Sequence, residues 1–162
     1  MPIRPATAAD VPAILAFWNP VIGQSTITFS PTLHSAESLA AMIAERQAAG
    51  RAFLVAEEAG KVAGFVTYDQ FRKGAGYAHA MEHTIILAPE ARGRGLGRAL
   101  IGAAEEHARA AGAHVLVGGI SAENAPALAF HAAAGFREAG RVAEAGRKFG
   151  RWIDLVLMQK LL

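Results

Sequence analysis

The run of strand-like and helix-like segments in this chain predicts an α/β protein: a three-layer α/β/α sandwich around a mixed, mostly antiparallel sheet. Three observations carry that prediction. Runs rich in β-branched and apolar residues are interleaved with segments whose apolar residues recur at helical spacing. Glu58-Ala59-Gly60-Lys61 joins two strand-like runs as a hairpin turn, so the sheet begins antiparallel. Glu82 to Gly97 reads EHTIILAPEARGRGLG: a strand, a proline-marked turn, and a loop dense in glycine and arginine that opens a helix. With 162 residues the chain is long enough for one real core, and a single domain over 1–162 is expected.

Each element has its own signal. Ile3 to Ala6 suits a short first strand, and Thr7-Ala8-Ala9-Asp10 a capped helix start. Val11, Ile14, Leu15 and Trp18 have helical spacing, and Asn19-Pro20 is expected to end that helix. Ser35 caps a second helix from Ala36 to Ala49, with Gly50 at its C-terminal stop. Between these helices, Val21 to Leu33 is longer than a minimal connection, which suits the lining of a substrate pocket. Ala52–Glu57 and Val62–Tyr68 are the hairpin strands, and Glu82–Ala88 follows the segment Phe71–Ala80. The next helix starts at Leu96 and ends at Gly112. Ala113–Ile120 is a strand, Asn124-Ala125-Pro126 starts another helix, and Gly135-Phe136 stops it. Phe136–Ala143 and Trp152–Gln159 close the chain as a hairpin around Gly146–Gly150.

Composition narrows the function classes. Hydrophobic residues make up 52% and charged residues 19%, with no repeat or low-complexity tract, so an ordered globular protein is expected. No apolar run approaches the about 20 residues of a membrane span, and MPIRPATAAD lacks a signal-peptide core; a cytoplasmic protein without membrane attachment is expected. The absence of cysteine removes thiolate catalysis and disulfides. The net charge is only +2, and no long basic face interleaved with aromatics points to nucleic acid. Histidines at 34, 79, 107 and 114 share no ligand spacing with one another or with carboxylates, so no metal is expected.

The basic residues that stand out are Arg92, Arg94 and Arg98, around Gly93, Gly95 and Gly97. Glycines let backbone N–H groups turn toward a ligand, and a helix N-terminus adds partial positive charge. That combination fits a small polyanion such as the diphosphate of coenzyme A. A dinucleotide fingerprint fails because Arg98 stands where its third glycine belongs, and no Walker lysine follows.

What is left is R-x-x-G-x-G on a strand-to-helix turn, which resembles the pyrophosphate signature of the GNAT superfamily of acyl-CoA-dependent N-acetyltransferases. The element order resembles that family over the whole chain. FRKGAGYAHAMEHTIIL, RGRGLG, Asn124, FHAAAGF and KFGRWIDLVLMQ resemble the subgroup containing phosphinothricin and methionine-sulfoximine acetyltransferases. The resemblance implies acetyl-CoA as co-substrate, with the main chain of Ile85, Ile86 and Leu87 pairing with its pantetheine arm and Arg92, Gly93, Arg94, Gly95, Leu96, Gly97 and Arg98 cradling its diphosphate. Asn124 is implied as a further cofactor contact, alongside an equally apt role as helix N-cap.

The resemblance also implies the catalytic pair. Glu82 takes the role of general base, against the plain alternative of a strand-edge carboxylate paired with Arg72 or Lys73. His131, four residues before Gly135-Phe136 where many relatives carry tyrosine, takes the role of acid or thioester-side donor. His83 points to the face opposite Glu82 if the strand alternates regularly. Arg72, Lys73 and Gly74, with Glu82, His83 and Thr84, are the implied acceptor contacts, and a bidentate arginine suits a carboxylate or phosphinate. Trp152 and Asp154 are expected to pack, in part at a homodimer interface. The expected activity is direct acetylation of the α-amine of L-methionine sulfoximine, L-methionine sulfone or L-phosphinothricin. The alternatives are another amine acceptor (protein N-terminus, lysine, polyamine or aminoglycoside) or an acyl-CoA-binding sensor without catalysis.

Overall fold

The computed structural model describes residues 2–162. Seven strands form one sheet: β1 (Ile3–Pro5), β2 (Phe53–Glu58), β3 (Lys61–Gln70), β4 (Ala80–Leu87), β5 (Val115–Ser121), β6 (Arg137–Lys148) and β7 (Arg151–Leu161). Their order is β1-β2-β3-β4-β5-β7-β6, and among neighbours only β4 and β5 run parallel. The helices are α1 (Val11–Gln24), α2 (Ala36–Ala48), α3 (Leu96–Ala110) and α4 (Ala125–Ala133). This is the predicted sandwich with its mixed, mostly antiparallel sheet.

Alternation along β3 and β4 decides which helices cover which face. Phe65 packs against Phe53 at 5.2 Å, Phe17 at 6.2 Å and Trp18 at 4.7 Å between ring centroids, so α1 lies on its face with α2 beside it. Gly64 points the other way and lets Leu100 of α3 approach the sheet. Gly97 of α3 sits against Phe130, which brings α4 to that same face. α3 buries Leu96, Leu100, Ile101, Ala104 and Ala108 along one face. Each of its fully buried Leu or Ile side chains contributes about 1.5–3 kcal/mol.

Strand and helix ends shift by one or two residues at several places, and two boundaries differ by more. α1 does not stop at Asn19-Pro20 but runs through Pro20 to Gln24. Proline deletes one backbone donor, while burial of Val21 and Ile22 holds the extra turn. Asn19 is committed to tertiary structure instead, exchanging two 3.0 Å hydrogen bonds with the backbone of His34. The closing hairpin is also longer than expected. Its turn is Phe149-Gly150, both at positive φ (53° and 75°), and irregularities near Gly140 and between Val142 and Gly146 absorb the extra residues.

The feature that positions the site is a split in the sheet. β3 and β4 pair all the way from Gln70↔Met81 to Gly64↔Leu87, but β4 and β5 pair only over Ala80–His83 against Val115–Gly118. Beyond Gly118 the β5 strand keeps β7 as its partner through Ser121, and β4 has none on that side. The segment between α1 and α2 roofs the opening. Lys148 Nζ donates to the carbonyls of Ser25 (2.6 Å) and Thr28 (2.7 Å), Thr26 donates to Glu123 at 2.8 Å, and Arg151 also binds Glu123. Phe29 fills the space over Gly146, 2.5 Å from where a Cβ there would stand.

Candidate active site

A cavity of about 180 Å³ occupies the split. Its walls are Thr84–Ile86 of β4, Gly118–Ser121 of β5, His83 and His131, with Ile27–Phe29 of the roof, Asn124, Ala127 and Leu155 around them. The predicted pocket-lining segment Val21–Leu33 therefore supplies the roof.

The β4 side chains divide between the two faces. Ile86 is opposite Phe65 and shares its face, so Glu82 and Thr84 point toward the α1/α2 side, whereas His83, Ile85 and Leu87 point toward α3 and α4. Glu82 is half-buried and, among the described residues, has neither an ion pair nor a hydrogen bond. The expected alternative pairing with Arg72 or Lys73 is not formed. Burial pushes the Glu82 carboxyl above its ordinary value. Its Oε2 lies 2.9 Å from where a Cβ on Gly119 would be, so a glycine gives the carboxylate its place.

On the other face two buried imidazoles meet. His83 Nε2 and His131 Nε2 are 2.9 Å apart, and His131 Nδ1 donates to the Ala127 carbonyl at 2.7 Å. Phe136 packs on both rings with centroids at 5.3 Å, and His83 stands 3.0 Å from the Cβ position of Gly118. Burial, with the neighbouring His131 second, lowers His83 to about 3, and burial also lowers His131. Both rings are therefore neutral at neutral pH.

This pair has a consequence for acid stability. An unfolded histidine binds a proton near pH 6.5, and the folded pair does so only at lower pH, so between these values the unfolded chain holds more protons. The contribution is full above about pH 6.5 and declines as pH falls toward 3. The unfolding free energy, read from denaturant titrations, is expected to fall over that window by up to about 1.4 kcal/mol per pH unit per imidazole. His83→Gln should flatten the decline; an equally steep decline in the variant would show that the pair does not cause it.

The free edge of β4 faces the gap. Phe71 N–H bonds Ala80 O at 2.9 Å and Ala88 N–H bonds Ala63 O at 2.8 Å, so even-numbered residues of β4 pair with β3. Thr84 and Ile86 thus commit their main chain to β3, and Ile85 and Leu87 turn theirs toward the opening. Of the three predicted pantetheine contacts, Ile86 adds its side chain to the wall and not a free peptide group.

The glycine-arginine loop closes one end of this edge. Gly93 and Gly95 have φ of 75° and 86°, a conformation that strains other residues. Ala99 N–H is bonded to Gly95 O at 3.1 Å, and the N–H groups of Leu96, Gly97 and Arg98 precede that first turn of the ladder. The backbone therefore fits a diphosphate. The arginines divide their work: Arg94 pairs with Glu58 at 2.7 Å, Arg98 donates to Ala133 O at 2.6 Å, and Arg92 reaches Leu87 O only at 3.5 Å. Asn124 Oδ1 caps α4 by accepting from Ala127 N–H at 3.2 Å, and the residue also lines the cavity.

Some predicted residues are not brought to the cavity. Arg72, Lys73 and Gly74 lie exposed beyond the opposite end of β4, in a turn held by Gln70 Nε2 donating to the Arg72 and Gly74 carbonyls at 2.8 Å, with the Arg72 guanidinium 5.7 Å over the Tyr77 ring. Trp152, expected to pack, is 58% exposed with Arg147 4.4 Å over its ring; Asp154 accepts from Glu144 N–H at 2.8 Å. Gly118-Gly119, Leu155 and Lys148 were not anticipated. A paired glycine inside a strand was the available signal for the first two. Lys148 and Leu155 lie in KFGRWIDLVLMQ, a segment that carries the family resemblance, but nothing in the sequence marks them as roof and wall residues. Among the described residues no helix is long and apolar enough to cross a membrane.

Comparison with known proteins agrees with this architecture. The profile of the Acetyltransferase (GNAT) family matches residues 23–136. An L-methionine sulfoximine/L-methionine sulfone acetyltransferase of Pseudomonas paraeruginosa is 38% identical over 97% of this chain and 92% of its own. The crystal structure of a ribosomal-protein-alanine N-acetyltransferase from Brucella melitensis superposes with a TM-score of 0.96 at 41% identity, covering both chains fully. A phosphinothricin acetyltransferase from Sinorhizobium meliloti in complex with AcCoA is similar with a TM-score of 0.93 at 31% identity, over 99% of this chain and 88% of that one.

Proposed function

The chain belongs to the GNAT acetyltransferase family, and from that premise we propose that it transfers the acetyl group of acetyl-CoA directly to the α-amine of a small amino-acid analogue: L-methionine sulfoximine, L-methionine sulfone or L-phosphinothricin. The observation that carries the proposal is Glu82, a half-buried carboxylate with no ion-pair or hydrogen-bond partner among the described residues, whose Oε2 lies beside Gly119 of the cavity wall. An α-amine has an ordinary pKa of about 8 and arrives mostly protonated. A carboxylate raised by burial is suited to take its proton.

The remaining residues take roles by position. The main chain of Ile85 and Leu87 extends the sheet toward the pantetheine arm, with Ile86 packing beside it. The backbone from Gly93 to Arg98 holds the diphosphate, aided by Arg92, and Asn124 joins the arm while capping α4. His83 and His131 occupy the thioester side. Thr84 and Glu82 face the acceptor, and Arg72, Lys73 and Gly74 serve its carboxylate at the approach; among the described residues the Arg72 guanidinium has no ion pair. Residues 1–162 form one acetyltransferase domain on the continuous sheet, with a homodimer built on the apolar hairpin surface of Val142, Phe149 and Trp152.

The 41% identity to a protein named for ribosomal-protein alanine favours a second acceptor, a peptide α-amine. Thiol release from acetyl-CoA distinguishes the two. Selective turnover of the three analogues over ordinary amino acids, polyamines and an alanine-starting peptide is the expected result. Turnover confined to the peptide would replace the acceptor, and cofactor binding without turnover across the panel would make the chain an acyl-CoA-binding module.

A further inference from the structure

β6 buries only two of its residues, Gly146 and Lys148, and as i and i+2 positions they share one face of the strand. The roof of the cavity rests on that face. The Phe29 ring covers Gly146, and Lys148, 5% exposed, sends its Nζ to the carbonyls of Ser25 at 2.6 Å and Thr28 at 2.7 Å. No carboxylate pairs with Lys148 among the described residues. Arg151, opposite it on β7, is taken up by Glu123. A buried charge without an ion pair is costly unless other dipoles compensate it. Here the end of α1 does so: Ser25 is the C-cap of that helix, where the last carbonyls carry partial negative charge. The continuation of α1 through Pro20 is what brings this end to β6.

We propose that Lys148 is a positioning residue for the amine acceptor: by holding the Ser25 and Thr28 carbonyls it sets Ile27, Thr28 and Phe29 over the sheet opening in the shape the acceptor binds. The proposal rests on the acetyl-transfer reading above. The roof is irregular backbone, with no helix or strand ladder to engage its carbonyls, and the two that face β6 need a donor. An ammonium has three N–H groups and serves both at once. Without it the closed roof is one conformation among several. The apparent affinity for the acceptor then falls with the fraction of molecules that hold that conformation.

Other contacts of the roof do not replace this one. Thr26 Oγ1 donates to Glu123 at 2.8 Å, but on the exposed side and through a side chain. The Ser25 hydroxyl turns back to the Val21 carbonyl at 2.7 Å, within α1 itself. The proposed cofactor contacts lie on the free edge of β4 and the glycine loop, and Lys148 bonds to neither. Its role therefore separates the acceptor from the cofactor.

Lys148→Met keeps the length of the stem and removes the donors. Acceptor KM should rise about 10- to 10²-fold, the size of a lost hydrogen bond to a charged group, with acetyl-CoA KM and kcat each within about threefold of wild type. Amide hydrogen exchange of the full chain reads the roof without turnover. Residues 25–29 should exchange at least about tenfold faster in the variant, with the buried amides of Val55 and Val66 unchanged. Lys148→Arg, which keeps a charged donor, should recover part of the acceptor KM. Unchanged acceptor KM or unchanged roof exchange in a folded Lys148→Met would overturn the proposal, as would an equal rise in both KM values. A lower melting temperature with acceptor KM intact would mark a merely structural lysine and overturn it too. If Lys148→Met does not fold, Lys148→Gln, whose shorter amide cannot span both carbonyls, carries the same expectations. Silence of the wild type with every amine would overturn the acetyl-transfer reading and the acceptor role with it; unchanged roof exchange beside an active wild type overturns the clasp alone.

Discussion

Glu82→Gln is expected to lower kcat/KM for the amine acceptor by about 10²–10⁴-fold at pH 7, the usual range for removing a general base. The amide keeps the size and polarity of the carboxyl and removes only its capacity to take a proton. Acetyl-CoA affinity should stay within about threefold, because the proposed cofactor edge is the main chain of Ile85 and Leu87 with the glycine loop, none of which the substitution touches. The fold should not suffer either. Burial raises the Glu82 pKa, so the folded state disfavours the charged form, and that cost is present above its folded pKa and absent in acid. At pH 7 the glutamine variant should therefore melt at the same temperature as the wild type or higher. Stability and activity moving in opposite directions is the signature of a functional carboxylate and not of a structural one.

Gly119→Ala should produce the second large loss, again with little change in stability. The new Cβ would stand 2.9 Å from Glu82 Oε2, and the far end of a flexible side chain is what must yield. Glycine to alanine in a strand otherwise costs nothing in conformational entropy. The carboxylate is displaced by several tenths of an ångström or rotated away, and misplacement on the scale of 1 Å costs about 10²-fold in rate. Gly140→Ala is the control: it lies in the same sheet with nothing within 4 Å of its Cβ position, and its activity should be unchanged. Measuring kcat/KM and melting temperature for both variants checks the claim. Equal activity of Gly119→Ala and wild type would mean that the Glu82 carboxylate does not act from this position.

What the sequence made legible is what depends on local chemistry. The glycine-arginine loop could be read because positive φ at Gly93 and Gly95 demands the residue type that is there, and the α3 stripe because one face of a helix is buried continuously. The extra turn of α1 could not be read, since the local rule at Pro20 was outweighed by burial of Val21 and Ile22 in the core. The contact between His83 and His131 joins residues 48 apart and depends on how α4 lies over the split sheet. Which peptide groups of β4 are free depends on its register with β3, which separates Ile86 from Ile85 and Leu87. Arg72 is close to Glu82 in sequence, yet the hairpin geometry carries it past the far end of the strand.

The measurement that tests the central claim most directly is the pH dependence of kcat/KM for the best acceptor in wild type and Glu82→Gln. With Glu82 as the base, the wild type remains active well below the amine pKa of about 8, while the variant's deficit shrinks steadily as pH rises and the amine loses its proton unaided. A deficit that stays constant from pH 6 to 9 would show that Glu82 takes no proton from the acceptor.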